Sequence, residues 1–226
     1  MKADETLEAT SADSRQAPAS TSLAATYMHL FSVPLITHVW ADAAALNEKL
    51  RARILSHAQT DPGTQGTNAG GWHSANGQLE FLGELRQPLF ERMLVVVNEA
   101  TRRLVADLGL SPISPQWSFL AWANVSKPGD FNTTHTHPGM TWSGVYYVDT
   151  GDTPGQRDSG ALRFNDPTPG SAAAFLPFLA RPCPEIRPVP GLMVLFPSYL
   201  PHSVNPHRGS GLRISIAFNF RNEPYP

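Results

Sequence analysis

Short β-rich runs separated by Pro, Gly and Asp turns fill the chain after Pro115. This alternation predicts antiparallel β structure and limits the folds that are open to the chain. The predicted strands are 116–125, 131–136, 142–149, 160–165, 191–197, 202–205 and 211–221, with two more near Tyr27 and Ile186. Eight or nine strands in this order favour a mainly β fold, a jelly-roll or cupin-like double sheet.

Two amphipathic helix patterns precede these strands. Asp42 is a suitable N-cap for a helix that runs through about His57. Pro88 suits the first turn of a second helix, which keeps the helical spacing of apolar residues up to Gly109. Both helices have an apolar face, so we expect two or three supporting helices to cover a sheet.

The length of 226 residues and the hydrophobic content of 41% predict one domain. Residues 1–22 are rich in Ser, Thr, Ala and acidic residues and lack the basic start and apolar core of a signal peptide. They predict a disordered tail before a single domain over 23–226. The Gly-, Asn- and Thr-rich loop over 61–83 is long enough to predict a lid.

Charge and cysteine content exclude several kinds of partner. The formal net charge of -2 and the lack of a Lys/Arg run leave no electrostatic footprint for nucleic acid or an anionic membrane. Cys183 is the single cysteine, and no apolar stretch approaches the roughly 20 residues of a spanning helix. We expect a cytoplasmic protein with a small-molecule or peptide substrate. The oligomeric state stays open, a homodimer included.

Three histidines and an arginine form the pattern that predicts chemistry. His135 and His137 stand at i and i+2, so on a strand both side chains project from one face and can reach one metal ion. His202 opens a later strand and can close the third corner. Arg213 follows eleven residues after His202, with Ser215 two positions further. A His-x-His pair alone is more often a surface pair, so the combination carries the prediction.

The last predicted strand indicates where Arg213 points. Its apolar residues alternate with polar or small ones, so one face packs under the helices while Arg213 and Ser215 face the interior. A buried guanidinium needs an anion, because an unpaired buried charge is costly. The alternative is an ordinary amphipathic strand with Arg213 on the solvent side. A face of imidazoles with open positions opposite is typical of mononuclear non-haem iron oxygenases, and the arginine fork suits the far carboxylate of 2-oxoglutarate.

Substrate contacts are predicted with less support from spacing. The candidates are Trp72, Trp142, Tyr146, Arg163 and Asn165. Packing is the competing interpretation for the tryptophans, and turn formation is the competing interpretation for Asn165. Tyr146 and Tyr147 lie on opposite faces of one strand, so only one of them can face the cavity.

Several spaced blocks occur together in the second half of the chain. They are Gly129-Asp130-Phe131, His135-Thr136-His137-Pro138, Ser143-Gly144-Val145-Tyr146-Tyr147, Phe164-Asn165-Asp166-Pro167, Phe196-Pro197-Ser198, His202-Ser203-Val204 and Arg213-Ile214-Ser215-Ile216-Ala217-Phe218-Asn219. As a set, between about Trp72 and Arg221, the chain resembles a family of Fe(II)/2-oxoglutarate oxygenases. The resemblance implies a double-stranded β-helix in which His135 and His202 hold iron, while Arg213 and Ser215 bind 2-oxoglutarate. Fe(II), 2-oxoglutarate and O2 are the implied cofactors.

His137 departs from the family pattern, which has a carboxylate at that position. Either the site has three histidines, or a carboxylate comes from elsewhere, with Asp130 and Asp166 as the nearest candidates. We favour three histidines, because the i, i+2 geometry already places His137 at the metal. A neutral third ligand leaves the site one charge more positive, which favours the anionic co-substrate.

The resemblance implies hydroxylation, desaturation or ring closure of a small polar metabolite or amino acid, with formation of succinate and carbon dioxide. One alternative is a three-histidine cupin-type iron dioxygenase without 2-oxoglutarate, in which Arg213 anchors the substrate. The other is a non-catalytic cupin-like module whose histidines bind zinc or nothing.

Overall fold

Eleven strands and two α-helices occur in the residues that the computed structural model describes, which are 32–152, 155–167 and 184–223. The predicted tail over 1–22, the strand near Tyr27 and Cys183 lie outside them. The strands are β1 Ile36–Val39, β2 Asn68–Ala69, β3 Trp72–His73, β4 Trp117–Ser126, β5 Phe131–His135, β6 Trp142–Asp152, β7 Leu162–Phe164, β8 Glu185–Ile186, β9 Leu192–Pro197, β10 His202–Val204 and β11 Ser210–Asn222.

The helices are α1, Ala43–Ala58, and α2, Arg86–Asp107, with a 3-10 helix at Glu80–Leu85 directly before α2. Asp42 precedes α1 as predicted, but its side chain does not cap the helix; its carboxylate accepts a hydrogen bond from Arg92 Nη2 at 2.8 Å instead. Pro88 lies in the first turn of α2, where a missing N–H costs no helical hydrogen bond. No helix in the described part combines the length and the apolar character that crossing a membrane requires.

The strands form two antiparallel sheets. The six-stranded sheet has the order β1-β9-β6-β11-β4-β3, and the five-stranded sheet has the order β2-β5-β10-β7-β8. Two antiparallel sheets with helices packed against one of them confirm the predicted mainly β, jelly-roll fold with supporting helices.

The alternation along β11 divides the molecule into two faces. Ile214, Ile216 and Phe218 are fully buried and belong to the core that the six-stranded sheet forms with α1 and α2. This confirms that the apolar face packs under the helices. Arg213 and Ser215 point the other way, toward a second core between the sheets that includes Tyr147 and Phe196.

The segment predicted as a lid is hydrogen-bonded into both sheets. β2 pairs with β5, and β3 pairs with β4. Its backbone groups find partners at two sheet edges, which a free loop would leave to water. Gly70 joins the two short strands at φ +77, and a Cβ there would come within 2.1 Å of the Asp130 carboxylate. The segment therefore packs against the turn before β5, and its role as a lid stays a prediction.

Candidate metal centre

Three histidines converge on one point between the sheets. His135 is the last residue of β5 and His202 the first residue of β10, and the two are paired directly across the ladder. His137 follows two residues later, in the loop after β5. Ligand atoms of the three rings all lie within 4.8 Å of one another, a separation at which one metal ion can contact all three.

Hydrogen bonds fix the tautomer of two of these rings. His135 Nδ1 lies 2.8 Å from the Thr133 carbonyl oxygen, and His202 Nδ1 lies 2.9 Å from the Leu200 carbonyl oxygen. Because a carbonyl can only accept, each Nδ1 carries the proton and donates it. The Nε2 lone pair of each ring is therefore available to a metal, which is the usual arrangement of histidine ligands.

His137 is held differently. Its ring makes no hydrogen bond to any other described residue, and its centroid lies 5.8 Å from that of Trp122. Its backbone N–H donates to the Ser198 carbonyl oxygen at 2.9 Å. The position of this residue is therefore set through the backbone and through packing.

Burial keeps all three imidazoles neutral. It lowers the pKa of His135, and it lowers the pKa of His137 to about 4 with a further contribution from His135. Burial also lowers the pKa of His202 to about 3, with smaller effects of the other two histidines in the same direction. Neutral rings are the form that binds a metal, so the site is prepared for one near neutral pH.

The carboxylates considered as alternatives do not join this cluster. Within the described ranges, the three histidines are the one group of His, Cys, Asp and Glu side chains that converges in this way. Asp130 lies in the turn before β5, where its carboxylate accepts the Lys127 N–H at 2.6 Å. Asp166 follows β7 and is also outside the group.

Arg213 lies in the same cavity as the histidines and is only 2% exposed, which excludes the solvent-facing alternative. Its Nη1 donates to Ser215 Oγ at 3.3 Å, and its Cζ lies 5.2 Å from the centroid of the Tyr147 ring. In the described part of the chain, Arg213 Nε and the Tyr147 hydroxyl are buried without a hydrogen bond of good geometry. The two side chains interact with each other, and no described carboxylate pairs with the guanidinium. A buried charge in this state needs an anionic ligand.

The cavity and its open mouth together enclose about 520 Å³, of which about 60 Å³ can be occupied by the centre of a water molecule. Arg213 is the one Lys, Arg, Asp or Glu side chain among the described residues that line it. The register of β11 sets its inner wall, since Ser215 pairs with Tyr147 on one side and with Asn124 on the other. Ala217 pairs with Trp122 in the next row toward His137. The wall therefore runs from a polar end at Arg213 to an aromatic end at the third histidine.

The structure does not bring the five predicted substrate contacts to the cavity lining. Trp142 and Tyr146 project from β6 toward the helices, where they hydrogen bond to Thr101 Oγ1 at 2.9 Å and to Asn47 Oδ1 at 2.7 Å. Trp72 packs against the same core and donates to the Asp61 carbonyl oxygen.

The other two predicted contacts lie on or after β7. Arg163 is exposed on that strand, and Asn165 lies 3.5 Å from Thr134 Oγ1.

Other residues line the cavity instead, and their sequence signals are weaker. Tyr147 lines the cavity, so it is the tyrosine of the pair that faces inward. Trp122 and Asn124 share its wall, which follows from the alternation of β4 only once its pairing with β11 is known. Gly160 packs on the arginine: at φ +59, an added Cβ would lie 2.7 Å from Arg213 Cδ. No spacing in the sequence predicts that contact.

A sequence model of the family described as "Putative 2OG-Fe(II) oxygenase" matches residues 120–219, a little under half of the chain. The matched residues include the three histidines, Arg213 and Ser215. The resemblance indicated by the sequence blocks is confirmed, and the enzyme class is that of 2-oxoglutarate-dependent Fe(II) oxygenases, which implies Fe(II), 2-oxoglutarate and O2 as cofactors. A comparison with curated proteins gives no match.

Solved structures share the fold. A Pseudomonas putida prolyl-4-hydroxylase is 21% identical, with a TM-score of 0.56 over 84% of this chain and 93% of that chain. A Trichoplax adhaerens prolyl hydroxylase, in complex with a hypoxia inducible factor peptide fragment, is 15% identical, with a TM-score of 0.57 over 83% of each chain. The α-ketoglutarate-dependent carbocyclase SnoK of nogalamycin biosynthesis is 10% identical, with a TM-score of 0.58 over 83% of this chain and 79% of that chain.

Proposed function

We propose that this chain is an Fe(II)- and 2-oxoglutarate-dependent oxygenase whose metal is held by His135, His137 and His202. In this proposal Arg213, Ser215 and Tyr147 bind the distal carboxylate of 2-oxoglutarate, and the enzyme hydroxylates a small polar metabolite or an amino acid. The observation that carries the proposal is a buried guanidinium, with no acidic partner among the described residues, in the same cavity as three converging imidazoles.

The donor set fits a ferrous ion. Three neutral nitrogen ligands on one side leave the opposite positions open, as non-haem iron oxygenases require. When bound, iron together with 2-oxoglutarate and O2 supplies the oxidation of a substrate C–H bond, with succinate and carbon dioxide as co-products. The role of the protein is to hold these groups and to keep water away from them.

The buried polar groups at the far end of the cavity fit a carboxylate. Arg213 offers a planar fork with its Nε unused, and the Tyr147 hydroxyl beside it is unused as well. Ser215 keeps the guanidinium oriented through its 3.3 Å hydrogen bond with Nη1. A carboxylate bound there would accept hydrogen bonds from Arg213 Nε and the Tyr147 hydroxyl, and it would neutralise the buried charge of the guanidinium. This combination favours tight and specific binding.

The apolar walls give the protein its second task. Val145, Leu162, Phe196 and Val204 are apolar residues of the cavity lining. Such a lining lowers the local dielectric and strengthens each charged contact inside. It also leaves few sites where water can compete with a bound acid.

The neutral third ligand supports a second candidate. Since no carboxylate from residues 32–152, 155–167 or 184–223 joins the metal group, the site also suits a cupin-type dioxygenase that binds substrate and O2 without 2-oxoglutarate. Arg213 would then pair with an acidic substrate. The two candidates differ in whether the enzyme consumes a 2-oxo acid.

Succinate formation distinguishes the two candidates. Apoprotein reconstituted anaerobically with Fe(II) is mixed with 2-oxoglutarate and ascorbate, exposed to air and assayed for succinate and oxygen uptake. We expect slow succinate formation that requires both the metal and Arg213. Oxygen uptake with a substrate but no binding of 2-oxoglutarate would favour the second candidate, and no turnover with any metal would favour a non-catalytic module.

A substrate panel comes next. It includes small polar metabolites, free amino acids and, because two of the similar structures are prolyl hydroxylases, proline-containing peptides. The substrate is the compound that raises the rate of succinate formation in proportion to its own oxidation. Product analysis by mass separates hydroxylation from desaturation or ring closure.

A further inference from the structure

A chain of buried polar side chains leads from the six-stranded sheet to the segment that bears His137. Its members are Ser198, in the turn after β9, Ser143 on β6 and Asn219 on β11. We call them the serine–asparagine network. They are 0%, 1% and 5% exposed, respectively. Each lies in a sequence block of the family resemblance. Ser143 also lines the cavity, but the proposed function gives none of the three a role as a metal or co-substrate ligand.

The hydrogen bonds of this network have one direction. The Ser198 and Ser143 hydroxyls lie 2.8 Å apart, and Ser143 Oγ lies 2.7 Å from Asn219 Oδ1. An amide oxygen only accepts and a hydroxyl carries a single proton, so Ser143 donates to Asn219 and Ser198 donates to Ser143. Ser143 and Asn219 are also directly paired in the ladder of β6 and β11. The network therefore anchors Ser198 to two central strands.

The backbone of Ser198 forms hydrogen bonds with both ends of the 137–141 loop. Its carbonyl oxygen accepts the His137 N–H at 2.9 Å, and its N–H donates to the Thr141 carbonyl oxygen at 3.2 Å. Thr141 is fixed further by its own N–H, which donates to the Phe220 carbonyl oxygen at 2.8 Å. The His137 ring has no hydrogen bond of its own to a described residue. These backbone hydrogen bonds are therefore the main polar restraint on the position of His137.

Building on the proposed function, we infer that the serine–asparagine network positions His137 as the third metal ligand. It does so through the backbone of the 137–141 loop. His135 and His202 need no such device, since each has an Nδ1–carbonyl hydrogen bond. Ser143, Ser198 and Asn219 are thus positioning residues, and their loss should weaken the metal site without removing a ligand.

Co(II) titration of the apoprotein tests this without turnover. Co(II) accepts the same ligands as Fe(II), and its visible absorption reports the ligand geometry. We expect Ser143→Ala to weaken Co(II) binding by about 3- to 10-fold, less than the roughly 10- to 100-fold typical for partners bonded to the ligand side chain itself. The visible spectrum should change as well, since the third ring is less well oriented.

Matched variants separate positioning from loss of stability. Thr101→Val removes another buried hydroxyl, the one that bonds Trp142 on the helix side of β6. It should lower the melting temperature by a similar amount and leave Co(II) affinity within about twofold of wild type. If Ser143→Ala does not fold, Ser198→Ala, in a turn, provides the same test. Equal loss of affinity in Thr101→Val and Ser143→Ala would overturn the inference.

A double-mutant cycle provides the sharpest test. If the network acts through His137, Ser143→Ala should have no further effect on Co(II) affinity in a His137→Ala background. Additive losses would contradict this, and so would wild-type affinity in both Ser143→Ala and Ser198→Ala. Wild-type protein that binds no Co(II) would contradict the proposed function itself. That result is distinguishable from failure of the network alone.

Discussion

Two of the three histidines are held by paired strands, and the third is held by a loop. His135 and His202 face each other across β5 and β10, and each ring is locked by a hydrogen bond to the carbonyl two residues before it. His137 lies beyond the end of β5, and among the described residues it has hydrogen-bond partners for its backbone only. The difference indicates that strand pairing positions two of the ligands. The position of the third ligand depends on packing with distant residues, so this is the ligand that can most readily be replaced.

Removal of a strand-held ligand should have the largest effect. We expect His135→Ala or His202→Ala to weaken metal binding by more than about 100-fold, since loss of a mere partner of a ligand costs 10- to 100-fold. Succinate formation should fall to background. Metal titration and a succinate assay measure both effects, with His38→Ala on β1 as the control. Unchanged activity in either ligand variant would refute the assignment.

Arg213→Leu should have the next largest effect: it should weaken co-substrate binding and stabilise the apoprotein. Binding of 2-oxoglutarate should weaken by at least about 30-fold, as for the loss of one partner of a buried charge pair. The apoprotein should melt at a higher temperature, because a buried charge without an acidic partner is replaced by an apolar side chain. Calorimetric titration and thermal melting check the two effects, with Arg208→Leu as an exposed control. A less stable apoprotein would argue for a structural arginine.

Exchange of histidine for aspartate tests the comparison between the ligands directly. His137→Asp should retain metal binding within about 10-fold of wild type, because a carboxylate in the loop can replace the ring as a neighbour of the metal. His135→Asp should lose it, since the shorter side chain also loses the hydrogen bond to Thr133. Co(II) titration of both variants gives the result. Equal losses would mean that the loop-held ligand is as constrained as the strand-held ones.

Gly160→Ala should have a smaller effect, confined to the co-substrate. A Cβ at this position would lie 2.7 Å from Arg213 Cδ and 2.8 Å from its Nε, so the guanidinium must shift. We expect the Michaelis constant for 2-oxoglutarate to rise by about 3- to 10-fold with metal affinity unchanged. Gly155→Ala is the matched control: its φ is also positive, at +72, but nothing lies within 4 Å of its Cβ position. A similar rise in the control would remove the contact with Arg213 as the cause.

The last effect is a pH dependence of apoprotein stability, which needs neither metal nor co-substrate. The folded pKa of His137 is about 4 and that of His202 about 3, both below the usual 6.5. At a pH between these folded values and 6.5, the unfolded chain binds more protons than the folded one. The free energy of unfolding should therefore decrease as the pH falls below about 6.5. Denaturant titrations from pH 8 to pH 4.5 check this. The decrease should be smaller in a His137→Ala, His202→Ala double variant.

Much of the fold could be predicted because the alternation of apolar and polar residues is local information. The strand predicted over 211–221 is observed as Ser210–Asn222, and the inward direction of Arg213 followed from its neighbours. The convergence of the three histidines was predictable from their order and from the family resemblance. These features depend on strand periodicity, which the sequence carries in each short segment.

What escaped prediction depends on contacts between distant segments. Tyr146 and Trp142 were expected at the substrate, but the face of β6 that meets the helices is fixed only by its pairing with β11. The loop over 61–83 supplies β2 and β3 because two sheet edges lie close enough to pair with it. The serine–asparagine network joins residues up to 76 positions apart, and no local pattern indicates it.

In the proposed function a metal and a 2-oxo acid share one cavity, with the histidines at one end and Arg213 at the other. The most direct test is calorimetric titration of 2-oxoglutarate into the wild-type protein and Arg213→Leu, each with and without anaerobic Fe(II). We predict strong binding only when both the metal and Arg213 are present. Equal binding to wild-type protein without metal, or to metal-loaded Arg213→Leu, would contradict the shared site.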